Sequence, residues 1–443
     1  MAAIPTAAMR VAVIGGGVTG SACAWRLLQA AEACPVAVTV FEMGRGPGGR
    51  ATTRRSREVP GLQISHGCPV FHVPDRAVAS NSSSAEVLLS SLTSAGYIKE
   101  WGGSAGLLTA SGAVDSPAAA SKGEPLSGAR RFIGTPTMAS IAEGMLGLLK
   151  DLTPPSSVET RFGTKVATVK PQSSDSPGTK GWELLDKQDN SLGSYDWVVV
   201  TSASMSHPRH KETFGDEAPM AVAARAAGSE PLSAAASRIS SLQFAGVHVA
   251  MLAWSLGADA NVSSNSPEEV VKALEQLPCD ILEVADDAVL AKIVRQSMEP
   301  PYAAVVLHST ASFAAENAKV FGSHSSAAQY ATSSGSSDQE ALVADAMQTA
   351  FDRLLTDRLG GRSLPKPSWG PVLHRWSTAF PRRGEGADSC SLGEQAALVL
   401  PEAGVAFAGD YMQEPLGCVW GALSSGVEAA EGILHHGSTS SPS

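Results

Sequence analysis

An apolar run, Val11 to Ile14, ends directly in Gly15, Gly17 and Gly20, spaced G-x-G-x-x-G, and this junction limits the possible folds more than any other stretch of the chain. Consecutive apolar residues predict a strand buried on both faces, as in parallel sheets covered by helices. An alanine-rich stretch from about Ser21 to Ala33 predicts a helix, and a second apolar run, Val36 to Phe41, predicts a strand that ends in an acid, Glu42. Strand, glycine turn, helix, strand and acid, in that order, specify a βαβ unit that binds a dinucleotide. Gly15 permits the tight turn, Gly17 lets the backbone approach a pyrophosphate, and Gly20 lets the helix lie close on the strand. The helix start, with Thr19 beside it, then receives the phosphates on free N–H groups. Glu42 stands 22 residues after Gly20, where a carboxylate accepts ribose hydroxyls and repels a 2′-phosphate.

The motif alone does not separate FAD from NAD(P). Gly48-Gly49-Arg50 follows Glu42 closely. At Gly49 the backbone can pass close to a ligand, and Arg50 can place a forked cation over phosphate or flavin oxygens. The alternative is a basic surface loop, because Arg54, Arg55 and Arg57 come next. Far along the chain, Val405 to Ala408 predicts a short strand closed by Gly409-Asp410, whose carboxylate suits a polyol hydroxyl such as those of FAD ribitol. A small-residue helix from about Trp420 to Leu434 follows. Its first N–H groups, near Val419 and Gly421, would stabilise negative charge on a flavin ring.

Glu42 with Gly48-Gly49-Arg50 after a βαβ unit resembles the second FAD contact of the amine-oxidase and glutathione-reductase-like flavoproteins. More narrowly, G-x-T-G-S-x-C-A at 17–24 with GGR-x-TT at 48–53 resembles renalase-like flavoproteins, which oxidise misreduced isomers of NAD(P)H. Ile64 to Phe71 is similar to their turn beneath the flavin, where Gly67, Pro69 and Val70 would touch the cofactor, although Cys68 and Pro69 depart from the usual residues. Val305 to Thr310 is similar to a strand of the renalase substrate domain. Val405–Asp410 with Gly417–Ala422 resembles the C-terminal FAD motif. The resemblance implies non-covalent FAD, with Val166 passing the adenine. It implies a dihydronicotinamide nucleotide as the small-molecule substrate and O2 as the electron acceptor.

The implied fold class is mixed α/β and α+β: a Rossmann-type FAD domain, discontinuous in sequence, with an inserted mixed-sheet substrate domain. The expected FAD pieces are 9–78, 131–205 and 365–436; the substrate pieces are 79–130 and 206–364, and 437–443 is a flexible tail. Helices are predicted over Thr137–Leu149 and Leu342–Leu355, and hairpin strands over Lys165–Val169 and Trp182–Leu185. A central strand is predicted over Trp197–Thr201, and strands of a second sheet over Val247–Trp254 and Tyr302–His308. Four segments rich in Ser, Ala and Gly (102–129, 171–181, 221–236 and 323–337) read as surface insertions or flexible loops.

The catalytic residues are not set by any motif. Hydride transfer to a flavin needs stacking, distance and a shielded pocket rather than an acid–base pair, and there is no Ser-His-Asp pattern, P-loop or zinc spacing. His308, closing an apolar strand, is either a core histidine or a residue over the flavin. Trp369, His374, Arg375 and Trp376 form an aromatic-basic cluster that is either a domain interface or an active-site wall, with Arg375 a cation for the substrate. At His66 and Cys68 the backbone is expected to matter more than the side chains.

The net charge of −10 argues against nucleic acid or anionic membrane as a general partner. Six cysteines without a C-x-x-C pair fit a reducing compartment. No stretch is apolar enough for a bilayer span, and only eight residues precede Met9, without a signal-peptide core. A cytoplasmic protein is expected, with an organellar address left open. The His435-His436 pair gives no metal site. Two other functions stay open: an amine or carotenoid-type flavin oxidoreductase, and an inactive nucleotide-binding interaction protein.

Overall fold

The computed structural model describes residues 8–30, 35–78, 83–115, 129–149, 156–172, 181–257, 266–298, 300–332, 335–382, 395–412 and 415–439. The first apolar run becomes the strand Met9–Ile14, with Val11 to Val13 wholly buried. It lies between Val36–Glu42 and Trp197–Val200, both parallel to it. Ser157–Phe162 extends this sheet on one side, and Val405–Ala408 on the other, both parallel. Ala397–Leu400 closes the edge antiparallel, giving six strands. The glycine-turn helix spans Val18–Gln29, starting three residues before the expected Ser21. It shares one core with the C-terminal helix Val419–Thr439 and with Leu88, Leu89 and Leu92 of the helix Ser84–Ser94. On the opposite face lie the antiparallel strands Thr168–Pro171, Trp182–Leu185 and Ser191–Tyr195.

A second, mixed sheet has seven strands. Its order is Trp369–Arg382, Gln243–Ser255, Tyr302–Ser309, Leu290–Ser297, Ile281–Val284, Ala105–Leu108 and Val114–Asp115. The side chains alternate between two faces, as strand geometry requires. One face, with Leu252, Trp254, Val305 and Leu307, packs on Val343, Met347 and Phe351 of the helix Ser337–Arg353. The other, with Val247, Val249, Met251 and Val306, packs on Leu62 and Ile64 and turns toward the glycine-turn sheet. The fold is thus a Rossmann-type domain, discontinuous in sequence, combined with a mixed-sheet domain.

Several expected features are corrected. Residues 221–236 are not a flexible loop but most of two helices, Pro219–Ala227 and Glu230–Ser240. Leu232, Ala235, Ala236 and Ile239 recur at helical spacing and are buried, and alanine is the best helix former. Within 102–129, Ala105–Leu108 is a strand paired parallel to Ile281–Val284, while 116–128 lie outside the described residues. Within 323–337, Ser326–Tyr330 is helical. Of 171–181, residues 173–180 lie outside the description.

Packing also departs from the expected boundaries. Ser84–Ser94 and the pair Pro219–Ala227 and Glu230–Ser240 share cores with the first sheet, not the second. Trp369–Arg382 pairs with Gln243–Ser255 and belongs to the second sheet, although it follows the expected boundary at 365. Its partner is more than a hundred positions away, so local pattern carries no trace of the pairing.

Candidate functional site

The carboxyl ends of the central parallel strands open onto a cavity of about 990 Å³, bounded opposite by the inner face of the second sheet. This is where doubly wound sheets place ligands. Gly15 has φ +112°, and a Cβ at Gly20 would overlap the Gly15 carbonyl oxygen, so the turn and the close helix both require glycine. No side chain caps the helix start at Gly17, which leaves that end open to an anion. Glu42 accepts hydrogen bonds from the Gly16 and Gly44 N–H groups at 2.8 and 2.5 Å. Burial pushes its carboxyl above the usual range, and the two N–H groups oppose that shift.

Most of the expected cofactor residues meet at this cavity. Gly15, Gly17, Thr19, Glu42, Gly49, Arg50, Gly67, Pro69, Val70, Val166, Asp410 and Val419 all line it. Gly20 and Gly409 support the wall from behind, and Gly421 stands at the helix start next to Cys418 without lining it. A Cβ at Gly67 would overlap the Arg50 carbonyl oxygen, and the Cys68 N–H donates to that same oxygen at 2.8 Å. The turn at 64–71 is thereby fixed to the GGR loop. Arg50 and Asp410, expected to face the cofactor separately, bind each other in a two-pronged ion pair.

Beyond Arg50 the wall becomes aromatic. His66 stacks on Trp376 with ring centres 5.5 Å apart and meets His374 edge-on at 4.7 Å. The Trp376 indole N–H donates to the His66 carbonyl at 3.2 Å. The His66 side chain is therefore part of the cavity wall, where the sequence pointed to its backbone. His308 lines the same cavity from the second sheet. Burial lowers the basicity of all three imidazoles: His66 to about 4, His308 to about 3, and His374 well below its ordinary value. At neutral pH they are uncharged. Arg375 and Trp369 do not join the imidazoles. The Trp369 indole donates to Glu58 at 3.0 Å, and Arg375 stands over the Phe321 ring.

Sequence reasoning missed Arg54, Arg131, Lys165, Arg209 and Lys292, which are among the ten arginines and lysines that line the cavity, against three carboxylates, Glu42, Glu283 and Asp410. Single cations inside alternating strands or loops read as surface charges. Their convergence is a property of the fold and not of any motif. Among the described residues no group of histidines, cysteines and acids suits a metal ion, and no helix is long and apolar enough to cross a membrane.

The fold and the glycine cradle are those of a Rossmann-type domain joined to a second mixed-sheet domain. Residues 13–81 match the family model of the NAD(P)-binding Rossmann-like domain. Among solved structures the chain is similar to a protein assigned as a protoporphyrinogen oxidase from an Exiguobacterium species, with TM-score 0.56 and 13% identity over 96% of this chain and 98% of that one. It is also similar to a cofactor-binding redesign of putrescine oxidase, with TM-score 0.52 and 13% identity over 97% of this chain and 100% of the other. An oxidoreductase from Methanosarcina mazei gives TM-score 0.50 and 12% identity over 96% of this chain and 100% of that one. At these identities the likeness is one of fold. No curated protein matches the chain.

Proposed function

We propose that the chain is an FAD-dependent oxidoreductase that oxidises misreduced, 2- or 6-dihydro isomers of NAD(P)H to NAD(P)+, with O2 as electron acceptor. The charge of the cavity carries the choice of substrate class. In a chain of net charge −10, the wall carries ten cations against three carboxylates. Two of those carboxylates are already paired, Asp410 with Arg50 and Glu283 with Lys292. A positive cleft concentrates an anionic nucleotide and repels an ammonium group, which favours this reading over an amine oxidase.

The residues fit FAD. The Gly15–Gly20 turn and the uncapped helix start would hold its pyrophosphate, Glu42 its ribose, and Val166 its adenine side. The Gly67–Val70 turn and Val419 would flank the ring. When bound, FAD would supply a two-electron acceptor for hydride. The chain's own contribution is positional. Neutral His66, His308 and His374 line the cavity with Trp376, and the near-parallel His66 and Trp376 rings offer a nicotinamide a stacking face without adding charge. The second sheet closes over that ring and keeps water away.

The test is to mix flavin-loaded protein, under anaerobic conditions, with an NADH preparation rich in the 2- and 6-dihydro isomers. The absorbance at about 450 nm, general to oxidised flavins, should bleach within the mixing time and return on admitting air. An unbleached band, with bleaching by a primary amine instead, sinks this assignment. Protein that stays colourless after FAD is added points to a nucleotide-binding protein without redox activity.

A further inference from the structure

Three of the cavity's cations have no individual role in the proposed reaction: Arg209 and Arg375 share Ser377, and Lys165 lies beside Phe214 on the same cavity. Lys165 follows the strand Ser157–Phe162 and is only 7% exposed, with its ammonium 4.5 Å from the centre of the Phe214 ring. It makes no hydrogen bond and no ion pair among the described residues. Arg209 donates to the carbonyl oxygens of Ser377 and Phe244 at 2.6 and 2.8 Å. Arg375 donates to the Ser377 hydroxyl at 2.8 Å, and its Nε is buried without a partner. All three line the cavity, as does His210, whose ring nitrogens are also buried.

The electrostatics are unfavourable without a ligand. Burial and the neighbouring Arg209 lower the basicity of Arg375 to about 10. Burial likewise pulls Lys165 below its ordinary value, and Lys165 together with burial takes His210 down to about 4. The nearest acids, Asp216 and Glu212, are exposed, and neither forms an ion pair with these cations. Buried charge without a counter-charge is destabilising unless something neutralises it. Arg209 and Arg375 satisfy oxygens of Ser377 and Phe244, but Lys165 satisfies none, and its charge is not called for by the packing.

We infer that Lys165, Arg209 and Arg375 form an anion subsite, which holds a phosphate or carboxylate group of a small molecule at the junction between the two sheets. This deepens the proposed function and rests on it only for the identity of the molecule that carries the anion. That group has two possible sources: a phosphate of the substrate, or free phosphate.

The test uses the purified protein with its flavin content measured, and the variants Lys165→Met, Arg375→Met and, as a surface control, Lys99→Met. Titration calorimetry with inorganic phosphate and with ADP reads the site directly. Loss of one charged hydrogen-bond donor should weaken binding about tenfold or more, and the Lys99 variant should match the parent. The melting temperature gives an independent readout. In phosphate-free buffer Lys165→Met should melt at or above the parent, because an unpaired buried charge is gone, and added phosphate should stabilise the parent alone.

The source follows from what else changes. A fall in flavin content with anion binding overturns the placement of the FAD pyrophosphate at the Gly15–Gly20 turn and moves it here. Unchanged flavin with a raised KM assigns it to the substrate. Binding of phosphate that competes with neither assigns it to free phosphate. If both variants fold and keep parental flavin content, KM and probe affinity within about twofold, the subsite is wrong. Protein that takes up no flavin yet binds ADP through Lys165 and Arg375 retires the flavin reading and leaves the subsite standing.

Discussion

The Arg50 guanidinium donates to both oxygens of the Asp410 carboxylate, at 2.7 and 2.6 Å, across 360 positions of sequence. A further N–H of Arg50 reaches the Ala379 carbonyl at 2.9 Å. One ion pair thus joins the GGR loop, the end of the strand Val405–Ala408 and the last strand of the second sheet. Asp410 is 5% exposed, while 37% of the Arg50 side chain faces the cavity. Asp410→Asn leaves the Arg50 charge without its partner. The expected loss is roughly 2–3 kcal/mol of unfolding free energy, below the 3–5 typical of a fully enclosed pair because Arg50 is partly solvated. Urea denaturation of Asp410→Asn, Arg50→Met and the double variant gives the coupling. Strictly additive losses would show that the pair contributes nothing.

The glycine loop contains its own control. Gly20→Ala drives a methyl group into the Gly15 carbonyl oxygen, a backbone atom that cannot swing aside. It should lose about 1–3 kcal/mol or more and most of its cofactor uptake. Gly46→Ala meets nothing within 4 Å and should stay within about 0.5 kcal/mol of the parent. Equal effects at the two positions, in melting temperature and flavin content, would falsify the close-approach argument.

This local economy explains what the sequence could reveal. Gly15, Gly17, Gly20 and Glu42 act within one βαβ unit, so spacing alone locates them, and the strands beside them are continuous apolar runs. Long-range consequences left no such mark. Trp369, His374, Arg375 and Trp376 read only as an aromatic-basic cluster; the strand Trp369–Arg382 that carries them, and its pairing with Gln243–Ser255, are fixed by tertiary packing. The alanine-rich 221–236 segment was misread by composition, although Leu232, Ala235, Ala236 and Ile239 carry a helical period. Lys165, Arg209 and Arg375 come from three separate elements, and only the fold makes them neighbours.

The buried histidines predict an acid limit. An unfolded imidazole titrates near 6.5. In the folded chain His66 and His248 fall to about 4 and His308 to about 3, because burial disfavours the cation. Between these values the unfolded chain binds more protons than the native one, so stability rises with pH. It is fully present above about 6.5 and declines as pH falls toward 4, with a slope of up to about 1.4 kcal/mol per pH unit for each histidine. Replacing His308 by Gln should flatten the decline between pH 6 and 4. Unfolding free energies measured at pH 7, 6, 5 and 4 decide it, and parallel curves for parent and variant would discard this account.

Arg54 tests the charge of the substrate. It lies 6.0 Å from the centre of the Trp369 ring, and its Nε is buried without a partner. Burial lowers its basicity, and its charge depresses His66 and His374. A cation in this position strengthens contact with an anionic group by about 1.5–3 kcal/mol. Arg54→Met should therefore raise KM for an anionic dihydronicotinamide roughly 10- to 100-fold, while kcat changes little, because the lost contact is equally present in the ground and transition states. With a cationic amine the same substitution removes a repulsion and should lower KM. The two substrates thus move KM in opposite directions, and the direction found in steady-state assays at low salt identifies the substrate class. A KM that rises for the amine and not for the nucleotide overturns the electrostatic basis of the proposed function.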